Sequence, residues 1–314
     1  MVLLVEGAPL PRCPASTDEF FARCPGVAEA GRSFACQKLR QVEARHALYV
    51  GQGEFGVVPG GDPRVRVVGS DDATTCHMVV VRHPEGTVAI AHFDGSRGEE
   101  AALSTMVDKI VSLEMDGEGL EVYVVGGYQP ERGSKEASKG EAEQLSLKLL
   151  DALVRHDCHF RLCLWCTGSL NTTQGPGGPR PKVYGMAVEV QSGAVFPAHF
   201  KAQEPNMPLR AASRWMSSEQ RPLDLYNHVS GTITIHPFRF SEVDWFGIYL
   251  KLPDEVLLRN FSTSPKVEPP HFCQELRKVF KVFVDHPRPH ETLFPNDKPK
   301  TYSINPSGVW ELVQ

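Results

Sequence analysis

The stretch Val67–Val81, VVGSDDATTCHMVVV, gathers a serine, two carboxylates, two threonines, a cysteine and a histidine at the head of an apolar run. A second histidine follows in IAHFDG, Ile90–Gly95. A cysteine nucleophile needs a base that draws it toward thiolate, and the base needs a third polar group to hold its ring. Ser70 and Cys76 bracket the polar turn, and His92 lies where a hairpin partner of Cys76 falls. A lone cysteine heading a strand is more often a small buried core residue, so strand register decides. If CHMVVVRH and TVAIAHF are joined by a three-residue loop, residues whose numbers sum to 168 face each other, and Cys76 lies opposite His92. A two- or four-residue loop puts them on opposite faces and sets His77 against His92 unless a bulge intervenes. RHPEGT allows either, since Gly86 suits the left-handed position of a three-residue loop.

Other reactive residues read as structure. Cys163 and Cys166 form a CxxC inside the apolar strand FRLCLWCTG, with no second ligand pair at zinc spacing. His156 and His159 flank Cys158 at a solvated helix end, where basic side chains suit the local dipole. There is no phosphate loop, dinucleotide fingerprint or HExxH. No cofactor and no metal is expected.

The elements that must position these residues follow from periodicity. RVRVVG, CHMVVVRH, TVAIAHF and LEVYVVGGY read as strands, as do FRLCLWCTG, VYGMAVEV and HALYV. EEAALSTMVDKIVSLEM and SKGEAEQLSLKLLDALVRH carry apolar residues at helical spacing and alternate with the strands. A helix is expected near Ala15–Ala22, and the Gly- and Pro-rich SLNTTQGPGGPRP is expected to be a mobile surface loop. Toward the C-terminus, GTITIHPF and the region of WFGIYLKL read as strands. HFCQELRKVFKVFVDH reads as a last helix, stopping before Pro287. With no repeats and no linker, the expected organisation is one α+β unit over 1–314, a core at about 60–200 and C-terminal elaboration at about 201–314.

The chain has 314 residues, a formal net charge of −5 and 41% hydrophobic residues, enough for a full core. Lys and Arg are scattered, which argues against a nucleic-acid partner. MVLLVEGAPL is too short and wrongly flanked for a signal peptide, and no run approaches the roughly 18–20 apolar residues of a membrane span. Eight cysteines in this length are expected as reduced thiols. The expectation is a cytosolic or nuclear monomer.

In order along the chain, VGSDDATTCH, AHFDG, LEVYVVGGY, VYGMAVEV and FSTSPKVEPPHF resemble the protein N-terminal asparagine amidohydrolases. The family begins Met-Pro where this chain begins Met-Val. The resemblance implies hydrolysis of the side-chain amide of N-terminal Asn to Asp and ammonia, feeding the Arg branch of the N-degron pathway. It implies Cys76 as nucleophile. The cysteine block is also similar to bacterial chemoreceptor glutamine deamidases, which use Cys, His and Thr on a layered α-β-β fold with mixed or antiparallel sheets. Their Thr, six residues before the Cys, is matched here by Ser70. On this reading Ser70 orients His92, backbone N–H groups around Thr75 and Cys76 hold the oxyanion, and His92 passes a proton to ammonia. Asp71 and Asp72 are candidates for gripping the substrate ammonium, or equally a polar turn capping its own backbone. The competing functions are a deamidase of internal Gln or Asn, and a binding module with an inert cysteine.

Overall fold

The computed structural model describes residues 3–95, 98–131, 133, 140–217, 222–240 and 245–313. Two mixed sheets face each other. The larger orders its strands Leu223–Asp224, Glu54–Val58, Val88–Phe93, His77–Arg82, Leu120–Gly126, Phe160–Thr167, Leu3–Val5, Ala8–Pro9. The smaller runs Arg40–Val42, Val195–Phe200, Met186–Glu189, Val67–Ser70, Ala47–Tyr49. Period-two alternation splits the larger sheet's residues between two cores. Val79, Val81, Ala89, Ala91 and Phe93 pack under the helices Thr17–Arg23, Pro25–Ala35, Glu99–Glu114 and Glu141–Arg155. Met78, Val80, Val88 and Ile90 pack against Leu48, Val68, Met186 and Val188 of the smaller sheet. The order of layers is helices, sheet, sheet, which is the expected α-β-β arrangement of an α+β fold.

Several elements depart from the sequence reading. SLNTTQGPGGPRP is not an open loop: Thr172–Gly175 and Gly178–Pro181 form a two-stranded hairpin, rooted by buried Asn171, which bonds the Gly127 and Val183 carbonyls and the Val183 N–H. WFGIYLKL begins with a helix, Trp245–Tyr249, where a strand was expected; Phe246 stacks on Phe283 of the helix Phe272–Asp285 at 4.1 Å, so packing overrides the local β preference. The strand in RVRVVG starts only at Val67. The helix Pro25–Ala35 escapes periodicity because it contains two glycines, and Gly31 is needed: a Cβ there would meet the Trp165 carbonyl at 2.8 Å.

A four-stranded sheet (Tyr226–Asn227, Thr232–Ile235, Lys300–Ile304, Trp310–Leu312) and the helices Met207–Met216, Asp254–Phe261 and Phe272–Asp285 complete the fold. Trp215 stacks within an aromatic cluster of Phe246, Phe261, Phe280 and Phe283. That cluster fixes these helices over the edge where the two sheets meet.

Candidate active site

The hairpin bearing Cys76 and His92 closes through Pro84–Gly86: the His83 N–H bonds the Thr87 carbonyl and Gly86 N–H bonds that of His83, with Gly86 at φ +116°. The loop is three residues, but its register sum is 170, with Met78 opposite His92. The expected sum of 168 is therefore off by two, because the loop is centred on Glu85, between His83 and Thr87, and not on Pro84. Parity is what matters for the face, and it is even: Cys76, Met78 and His92 share the side toward the smaller sheet. Cys76 ends up diagonal to His92, an arrangement with Cα atoms about 7–8 Å apart. His77 points the other way, bonding Ser146 of the Glu141–Arg155 helix at 2.7 Å, so it is no partner for Cys76.

Ser70 reaches the site from the other sheet. It follows Val68 by two residues, faces the larger sheet, and its Oγ lies 2.7 Å from His92 Nδ1, both groups buried. When Nδ1–H donates to Ser70, Nε2 is left as a lone pair. That Nε2 is buried and has no hydrogen-bond partner, although His92 and Cys76 line one cavity of about 250 Å³.

Backbone geometry fixes the position of Cys76. The Cys76 carbonyl accepts from the Gly127 N–H at 2.9 Å. A Cβ on Gly126, at φ +144°, would stand 2.2 Å from that carbonyl; one on Gly127, at φ +59°, would meet the His77 ring at 2.6 Å. The Gly-Gly end of LEVYVVGGY is thus the seat of Cys76. Asn171 holds the Gly127 carbonyl from behind at 3.0 Å.

The electrostatics set the resting state. Burial pushes the Cys76 thiol well above the ordinary thiol range; Asp94 and Glu268 add to this and Arg214 opposes it. Burial therefore favours the neutral thiol over the thiolate expected of such sets. Burial also holds His92 down at about 4, with Arg214 reinforcing the shift and Asp94 opposing it. Thiol and imidazole are both neutral at pH 7. The Cys76 N–H stands against its own sulfur and favours negative charge there.

The acids divide by environment. Asp71 is buried and spent on the fold: its Oδ2 accepts from the Phe200 N–H at 2.7 Å and from His199 Nδ1 at 3.0 Å, and its Oδ1 accepts from Gln203 at 3.2 Å. Burial and Asp72 raise it to about 6. Asp71, Asp72 and His199 offer ligand atoms within 4.8 Å of one another, but these protein donors already occupy Asp71. Asp72, at φ +59°, keeps a 26% exposed side chain and bonds Gln203 at 2.9 Å and His271 at 2.8 Å.

Sequence reasoning missed Glu268, in FSTSPKVEPPHF, the fifth quoted segment. It lines the cavity, accepts from the Ser262 and Ser264 hydroxyls, and is raised chiefly by burial. Ser264 in turn bonds Thr74 at 2.7 Å, and Thr75 meets Thr263 at 2.7 Å. The C-terminal segment therefore docks directly onto the turn that carries Cys76. Only the order of the segments, not any spacing, signalled that they belong together.

Residues 37–312 match the family described as protein N-terminal asparagine amidohydrolase. The chain belongs to that family. Its similarity to the enzyme of that name from Homo sapiens is 31% identity over 316 aligned positions, covering 100% of this chain and 98% of the relative. The Sus scrofa protein is 32% identical over the same coverage, and the Arabidopsis thaliana protein is 28% identical over 84% of this chain and 80% of its own length.

Proposed function

We propose that the chain hydrolyses the side-chain amide of an N-terminal asparagine, releasing ammonia and leaving N-terminal aspartate, with Cys76 as nucleophile, His92 as acid–base and Ser70 as the group that orients His92. The observation that carries this reading is the partnerless, buried Nε2 of His92, which shares a cavity with the Cys76 thiol while its Nδ1 is fixed by Ser70. A buried lone pair costs free energy unless something completes it. The thiol proton does so during attack.

Starting from two neutral groups, the sulfur adds to the carboxamide carbon as its proton passes to Nε2, so charge separates only when substrate is present. The oxyanion gains from the Cys76 N–H and neighbouring backbone at Thr75. The new imidazolium, bonded to Ser70 through Nδ1–H, gives its proton to the nitrogen, and ammonia leaves. Water, deprotonated by His92, then opens the thioester to the acid and restores the thiol. Asp72 and Glu268 hold the substrate ammonium, since a buried charge is tolerated only when paired. Asp71 supports them from behind. The product, N-terminal Asp, places the enzyme upstream of arginylation in the Arg/N-degron route; the eight free thiols fit the cytosol or nucleus. One catalytic unit spans 1–314, because Ser262–His271 build the cavity wall.

The test is ammonia release from Asn-, Gln- and acetyl-Asn-peptides by the protein and by Cys76→Ala. Asn-peptides should react. Acetyl-Asn lacks the ammonium and should not, while Gln holds its amide about 1 Å away, a displacement worth on the order of 10²-fold. Comparable turnover of acetyl-Asn would favour an internal deamidase, and full activity in folded Cys76→Ala would remove the nucleophile from its role.

A further inference from the structure

A second cavity, of about 640 Å³, adjoins the first and shares Asp72, Glu268 and His271 with it. Its outer wall is basic. Arg180 and Lys182 project from the Gly178–Pro181 arm of the hairpin and from just beyond it, Lys266 from the segment carrying Glu268. All three are exposed and make no ion pair among the described residues. The acids of this cavity lie on the shared inner wall, where each has polar partners: Asp72 with His271, Glu268 with Ser262 and Ser264, Asp71 with Phe200. Arg214 also lines the inner cavity but is outnumbered there by Asp71, Asp72, Glu268 and Glu275, so charge runs from negative inside to positive at the rim.

We infer that this basic rim receives the substrate chain behind its N-terminal residue and that the enzyme favours substrates with Asp or Glu at the third to fifth positions. The inference rests on the function proposed above. An N-terminal segment with an ammonium at its head and carboxylates behind is a dipole matching this gradient, so the field both attracts it and turns it N-terminus first. The reach is right: Lys266 and Glu268 are two residues apart, a span of at most about 7 Å, and two extended substrate residues cover the same distance. The cations are solvated, so each contact is weak, and two or three together are needed for a preference.

Two or three exposed pairs, each weak on its own, make the expected preference about 3- to 10-fold in kcat/KM for Asn-Ala-Glu-Glu-Asp over Asn-Ala-Lys-Lys-Arg peptides, read as ammonia release in low salt. In 1 M salt, where the Debye length is about 3 Å, the ratio should approach one. In the triple variant R180E/K182E/K266E the ratio should invert. A ratio near one in low salt, or the same ratio in the triple variant, overturns the inference while Asn-Ala amide turnover keeps the parent reading standing. No ammonia from any Asn substrate, Asn-Ala amide included, overturns both.

Discussion

Replacing Ser70 by Ala tests the arrangement most directly, because it leaves Cys76 and His92 in place. Ser70 is fully buried and its Oγ is 2.7 Å from His92 Nδ1; removing it leaves both ring nitrogens without partners, since Nε2 has none already. In the ground state the ring is neutral, and a neutral hydrogen bond contributes about 0.5–1.5 kcal/mol. During attack the ring becomes cationic, and a bond from a charged donor contributes about 1.5–3 kcal/mol. The difference, about 1–2 kcal/mol, appears only in the transition state and lowers kcat by roughly 5- to 30-fold. Stability should fall as well, by about 1–3 kcal/mol for the orphaned buried donor. Steady-state ammonia release and urea unfolding measure the two. A kcat within twofold of wild type in S70A would show that Ser70 does not hold the charged ring, and a loss as complete as that of C76A would show that it takes part in bond making.

Other perturbations separate the site from its supports. His77→Ala should keep most deamidation but lose about 1–3 kcal/mol of stability, because His77 faces Ser146 in the helical layer; His92→Ala should lose about 10²- to 10⁴-fold in kcat, and the reverse pattern would exchange their roles. Gly126→Ala should lower both Tm and kcat, since its Cβ would fall 2.2 Å from the Cys76 carbonyl; a wild-type Tm would refute the seat assigned to the Gly-Gly pair. The pH dependence of stability is led by the three buried groups with the largest shifts among the carboxylates and imidazoles. His77 and His92 are lowered to about 3 and about 4 from 6.5, so between those values and 6.5 the unfolded chain binds more protons and stability falls as pH falls. Asp71, raised from 3.8 to about 6, acts in the opposite sense between those two values; Glu268 and His271 also act in that opposite sense to a smaller extent, while His156 acts with the two buried imidazoles, whose shifts are the largest. Tm should therefore drop from pH 7 to pH 5, and a flat or rising Tm would contradict the buried neutral imidazoles.

The sequence alone marked the candidate reactive residues and reduced the question of the face they share to the parity of one hairpin loop. Strand alternation through CHMVVVRH and TVAIAHF, with an odd loop between, puts Cys76 and His92 on one side whichever pair closes the hairpin, because parity survives a two-residue slip while register does not. It also marked the α+β alternation and the two long helices, whose apolar spacing is local. What it left open depends on contacts between distant segments. That Ser70 meets His92 follows from the packing of two sheets, and that Glu268 lines the cavity of Cys76 follows from Ser264 and Thr263 docking on Thr74 and Thr75, some 190 positions away in the chain. The same packing decided the protonation state: burial and the nearby carboxylates make a neutral thiol of a cysteine whose neighbours in sequence suggested a thiolate. It also divided Asp71 from Asp72, adjacent and chemically alike, by giving one the Phe200 N–H and the other the cavity. Local pattern determines direction along a strand or helix, whereas partners, burial and charge state belong to whatever the folded chain brings up against it.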